Sequence, residues 1–133
     1  MKAAIGAVAL AISGSVAAAE SSDWVQYGVG HDGTGYFLHA GKIKRLNMPG
    51  KAFQVWTNHR LTKPKNVFRS KPSEYVTSMN QMNVLCDEQK LVPLTSTYYS
   101  RDGAAVHTDS VPEPATAIVP GSVGEQLAEI LCN

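Results

Sequence analysis

Long apolar sequence is scarce in this chain. The one sustained run, Ala3 to Ile12, is shorter than the roughly 20 residues a membrane-spanning helix needs, and no later stretch is apolar enough to act as an anchor. Cysteine is scarcer still, with only Cys86 and Cys132. There is no CxxC, and two distant cysteines without clustered histidines make a poor redox pair or zinc site. A charge surplus is also missing. Twelve basic residues face 11 acidic ones, a formal net charge of +1, which argues against a nucleic-acid footprint.

The usual marks of catalysis are equally thin. No G-x-S-x-G is present. Gly28, Gly30, Gly33 and Gly35 lie between two strand patterns and are not followed by Gly-Lys-Ser/Thr, so they read as a hairpin turn and not as a phosphate loop. His31, His39, His59 and His107 never fall two or four residues apart, the spacings that place two ligands on one strand or helix face. Asp87 and Glu88 are neighbours in a turn, a poor geometry for an acid/base pair. These residues imply no enzyme, no metal and no cofactor.

What is present begins with the short apolar run itself. Met1-Lys2 gives a positive start, the run follows, and Ala17-Ala18-Ala19 supplies the small residues a signal peptidase reads. The sequence therefore predicts a signal peptide over residues 1–19 and a single domain over residues 20–133. Losing Lys2 brings the formal charge to zero. Residue 20 is Glu, so the lipid-accepting cysteine of a lipoprotein is absent, and the expected product is a soluble periplasmic or secreted protein with no membrane anchor. In such an oxidising compartment two thiols normally become one disulfide. A bond closing the chain from 86 to 132 would add about 4 kcal/mol in the chain-entropy picture.

Most of the remaining pattern is β. Residues 23–29 alternate apolar and polar positions, residues 34–38 follow a glycine-rich turn, and residues 42–46 continue after a break at Gly41. Met48-Pro49-Gly50-Lys51 is a tight turn. Residues 52–58 are the clearest strand, with Phe53, Val55 and Thr57 on one face. A loop carrying Arg60, Lys63, Pro64, Lys65, Arg69 and Pro72 is expected next. Residues 75–86 and 90–99 form a hairpin about Asp87-Glu88-Gln89, residues 104–108 a short strand after Arg101-Asp102-Gly103, and residues 109–116 an exposed connector.

The end of the chain changes period. Ser122 and Glu125 have capping-box spacing, and Val123, Leu127, Ile130 and Leu131 fall on one helical stripe. A helix of about ten residues is too short to stand alone. It needs a sheet beneath it, and Cys132 sits at its end.

Two groups of residues are candidates for a binding surface. Trp56, Tyr98 and Tyr99 are large residues on strands, where exposed aromatics can mark a contact. Packing beneath the helix or across a dimer is the expected place for Trp56. Lys63, Lys65 and Arg69, with Lys71, form a basic run that would meet an acidic partner, although such runs are ordinarily a solvated face.

An ordered set of features then resembles the surface-adhesin protein E family. They are Trp24-Val25, Tyr36-Phe37-Leu38 with Ile43-Lys44-Arg45, Phe53-Gln54-Val55-Trp56, Cys86, Tyr98-Tyr99-Ser100 before Asp102-Gly103, Ile118-Val119-Pro120-Gly121-Ser122, and Cys132. The resemblance implies an α+β fold: a single antiparallel sheet of about six strands, with a C-terminal helix on its concave face tethered by the disulfide. It also implies a non-enzymatic interaction protein. The expected partner is a host matrix protein or an envelope protein. A sheet covered on one face also leaves an edge or face open to a second copy, as in a homodimer. The alternative function is a periplasmic enzyme inhibitor, such as a lysozyme inhibitor, for which a disulfide-closed loop would be suited.

Overall fold

Period-two patterning and turn chemistry build one antiparallel sheet. The computed structural model describes residues 23–110 and 112–133, so the predicted signal peptide at 1–19 lies outside the described residues. Among the described residues, eight strands appear in chain order: β1 (Trp24–Val29), β2 (Gly35–His39), β3 (Lys44–Arg45), β4 (Ala52–Asn66), β5 (Glu74–Leu85), β6 (Lys90–Tyr99), β7 (Ala105–Asp109) and β8 (Thr116–Ala117). They are followed by helix α1 (Val123–Cys132). The spatial order is β8-β6-β5-β4-β2-β1, with β3 also paired to β4 and β7 also paired to β6. Six strands form the main path, and two short ones add to its flanks.

Several details depart from the sequence expectation. The strand expected at 42–46 contracts to Lys44–Arg45 and pairs with β4 instead of extending β2. The expected connector ends in a two-residue strand, Thr116–Ala117, which pairs with Leu91 and Lys90. Most of all, β4 does not stop near Asn58 but runs to Asn66 through Pro64. The pairing explains how proline is tolerated there. Arg60 pairs with Thr77 and the next pair is Lys65 with Tyr75, so Leu61 to Pro64 form a bulge without ladder partners on β5. Proline costs no ladder bond at a bulge. Pro93 sits at a similar break, where the register shifts between Gln81 and Met82.

The core lies on one face of the sheet, under α1. Val55 and Val84 are fully buried, with Leu38, Leu127 and Leu131 around them, and Tyr27, Phe53, Met82, Leu91 and Ala128 pack at the margin. The helix stripe is rotated from the one read in the sequence. Leu127 is 1 % exposed, whereas Ile130 is 51 % exposed. The buried arc turns toward Ala128 and Cys132, because the bond from Cys132 to Cys86 draws that side of the helix onto β5.

Two glycines let the helix sit so low. A Cβ on Gly28 of β1 would come within 3.0 Å of Val123, and one on Gly124 within 3.0 Å of Leu91. Side chains at these positions would lift α1 off both flanks of the sheet.

Candidate functional site

Alternation along β4 divides the molecule chemically into two faces. Val55 and Thr57 are fully buried on the helix side, so Trp56 between them stands on the opposite side and is half-buried. Directly paired residues share a face. Trp56 pairs with Gln81, Gln54 with Asn83 and with Lys44, and Arg60 with Thr77. These residues make up an open face that no element covers among the described residues. Trp56 therefore does not pack beneath the helix, one of the two places expected for it; its even-numbered position puts it on the far side of a strand whose odd positions form the core.

The open face is rich in amides. Gln81 donates to Gln54 at 3.3 Å and Gln54 donates to Asn83 at 3.4 Å, a short chain across β5 and β4. Asn58 is buried beside it and donates to the Ser78 carbonyl at 3.2 Å. Arg60 donates through Nε to Asn58 at 2.8 Å, and its guanidinium lies 4.0 Å above the Phe37 ring. Arg60 is thus held by one hydrogen bond and one cation–π contact.

The helix side is closed by packing and carries a half-buried polar group. His59 sits edge-on to Tyr36 with ring centroids 4.5 Å apart, and its Nε2 is 3.5 Å from the Thr57 hydroxyl. Burial pulls the His59 pKa down to about 4, so the ring is neutral at physiological pH. Burial also pushes the Tyr27 hydroxyl well above its ordinary range, with Thr57 as its hydrogen-bond partner. A neutral histidine between a tyrosine ring and a threonine hydroxyl fits tight packing beside the core. Among the described residues no group of three or more His, Cys, Asp or Glu side chains is placed to hold a metal ion.

The other residues singled out from the sequence are spread over the molecule. Cys86 and Cys132 are joined, with Cα atoms 5.7 Å apart. Ser122 is the N-cap of α1, and its hydroxyl accepts from the Glu125 amide at 3.2 Å. The Glu125 carboxylate accepts from the amide of Gly121, one residue outside the reciprocal position of a capping box. Tyr98 and Tyr99 are successive residues of β6 and so face opposite sides of the sheet. Tyr99 pairs with Thr77 on the open side. Tyr98 joins a cluster at the far end of the molecule, 4.8 Å from the Tyr75 ring and 6.2 Å from His107, which also meets Phe68.

Nor does the basic run act as one patch. Lys63 and Lys65 belong to β4, where Lys65 pairs with Asp32 at 3.5 Å. Asp32 is itself held below the usual carboxylate range, chiefly by the Thr34 amide. Arg69 is exposed in the following loop, and Lys71 lies 4.5 Å over Phe68. Sequence reasoning missed the cations that do share the open face, Lys44, Arg60 and Lys90. Their signal was register, which the sequence alone did not fix across the break at Gly41.

Among the described residues, no helix is long and apolar enough to cross a membrane. The fold has known counterparts. The structure of Haemophilus influenzae protein E superposes with a TM-score of 0.63 over 84 % of this chain and 84 % of that chain, at 13 % sequence identity. Crystal form II of the same protein gives 0.63 at 14 % identity, covering 84 % and 87 %. Protein E from non-typeable Haemophilus influenzae gives 0.60 at 14 % identity, covering 84 % and 76 %. No curated protein matches the chain. The model of the family described as surface-adhesin protein E matches residues 24–133, from the first residue of β1 to the residue after the cysteine that fastens α1, and this chain belongs to that family.

Proposed function

We propose that this chain is an exported, non-enzymatic interaction protein that presents the open face of its sheet to an extracellular or envelope protein. The observation that carries the reading is the asymmetry of the sheet: α1 and the disulfide close one face, while the other displays Trp56, a connected row of amides and an oriented Arg60. Exposed aromatic and arginine side chains are the types enriched at contact surfaces. Membership of an adhesin family supports the same reading. Residues 1–19 act as the export signal, residues 20–133 as the mature domain, and the product is soluble in the periplasm or outside the cell. Tyr99 belongs to the binding surface with Trp56. Tyr98, Lys63, Lys65 and Arg69 contribute at its margins. A second copy would pair along β1, the last strand of the sheet path on its side.

Two measurements test this. The N-terminus of the exported protein should begin at Glu20. Purified residues 20–133 should bind immobilised extracellular-matrix or envelope proteins saturably, and the oxidised protein should bind without any added cofactor. A folded domain that binds none of them would overturn the reading.

A further inference from the structure

Pairing register sorts the charges of this molecule more sharply than its composition suggests. Lys44 pairs with Gln54, Arg60 with Thr77 and Lys90 with Leu85, and all three cations lie on the open face. Among the described residues, the positions of that face from Gln54 to Arg60 and their pairing partners hold no aspartate or glutamate. The acidic side chains are placed in turns, on the helix side or on α1 itself, as with Asp32, Asp87, Asp102 and Glu125. A chain with almost no net charge therefore gathers cations, without a paired carboxylate, along the central part of one face.

The rest of the face narrows the ligand. Trp56 offers a half-buried indole on the central strand, with the Gln81–Gln54–Asn83 amide chain next to it. A side-chain amide presents a donor and an acceptor together, which suits the adjacent hydroxyls of a sugar. The indole face suits the C–H face of a pyranose ring. The guanidinium of Arg60 is braced by Asn58 and Phe37, and its remaining donors form the planar fork that fits a carboxylate or sulfate. Lys44 lies beside Gln54, and Arg60 is six residues further along β4. At strand rise the two cations are about 20 Å apart, with Trp56 between them. A flat, extended strip with charge at its ends and stacking in its middle matches a linear chain better than a compact ligand.

We propose that the open face binds an anionic, sulfated polysaccharide of the extracellular matrix, with Trp56 stacking on a sugar ring, the amides of Gln54 and Gln81 holding hydroxyls, and Lys44 and Arg60 pairing with sulfate or carboxylate groups. The inference rests on the reading of this face as the interaction surface, and it specifies that a matrix partner is held through its glycan.

The test is titration of the mature protein, disulfide intact, with a sulfated heparin-derived hexasaccharide, alongside a neutral maltohexaose. Binding is expected for the sulfated chain only and should weaken with salt. Trp56→Ala and Lys44→Ala/Arg60→Ala should each weaken it by about tenfold or more, whereas Arg45→Ala, which removes the strand neighbour of Lys44 on the opposite face, should leave it unchanged. Trp56→Phe keeps an aromatic ring, should retain most of the affinity, and serves if Trp56→Ala does not fold. Absence of binding by the folded protein would overturn the proposal. So would binding that survives loss of Trp56 and is abolished by Arg45→Ala. A matrix glycoprotein stripped of its sulfated chains separates the two readings. If it still binds in a Trp56-dependent way, the glycan is wrong and the interaction face stands. If the intact glycoprotein is not bound either, both fail.

Discussion

The ammonium of Lys51 donates to the Cys132 carbonyl at 3.0 Å, while the Lys51 carbonyl accepts from the Cys86 amide at 2.9 Å. One residue just before β4 thus contacts both ends of the disulfide. The contact has a clear electrostatic purpose. α1 has no basic residue in its last turn, and the final carbonyls of a helix lack intrahelical partners and carry a partial negative charge. Lys51 supplies the missing cation from the sheet. Lys51→Met keeps the aliphatic stem and removes the charge. It should cost about 1 kcal/mol, seen as a lowered urea midpoint with an unchanged m-value.

The disulfide should matter more. Cys132→Ser, or reduction, should lower unfolding stability by about 4 kcal/mol or somewhat less if the native bond is strained. It should also increase amide exchange across Val123–Cys132, since a helix of ten residues is marginal alone. Unchanged stability and exchange would mean that packing of Leu127 and Leu131 holds α1 without help.

The other end of α1 depends on its cap. Ser122→Ala removes the acceptor for the Glu125 amide and should cost about 1 kcal/mol. Ser122→Asp, which restores an acceptor and adds a charge favourable at a helix N-terminus, should recover it. Thermal unfolding of the three proteins at neutral pH checks the order.

His59 predicts a pH dependence. Its folded pKa is depressed to about 4 by burial, against an ordinary value near 6.5. The neutral ring is favoured by folding, so its contribution is complete above about pH 6.5 and is lost as pH falls toward 4. The unfolded chain takes up the proton first over that interval. The loss is on the order of 3 kcal/mol at most. His59→Gln should be less stable at pH 7 but should show a flatter stability profile between pH 6.5 and 4. A wild-type profile equally flat there would mean that the ring is solvated.

Much of this arrangement was legible in the sequence because it depends on local pattern. The strand of Phe53, Val55 and Thr57, the hairpin about Asp87-Glu88-Gln89, the cap at Ser122 and the cysteine pair all signal themselves within a few residues or by their scarcity. The missed features depend on long-range pairing. Pro64 looked like a strand breaker until the bulge between Arg60 and Lys65 showed that β5 asks no hydrogen bond of it. Ile130 fits a helical stripe, but the tether at Cys132 rotates the buried arc away from it. Trp56 was expected beneath the helix or across a dimer, and the parity of β4 removes the first of these by placing it opposite Val55. The cations of the open face come from three separate strands, and only register brings them together.

The central claim is that the face opposite α1 makes the contact with a partner. It is tested most directly by comparing Trp56→Ala with Ile130→Ser for binding to immobilised extracellular-matrix glycoprotein, after thermal unfolding and thiol titration confirm that both variants are folded and oxidised. Ile130 is exposed on the helix side and Trp56 stands on the open side, so the two variants probe opposite faces. Binding reduced about tenfold by Trp56→Ala and unchanged by Ile130→Ser is the expected result. Binding lost with Ile130→Ser and retained with Trp56→Ala would contradict the account.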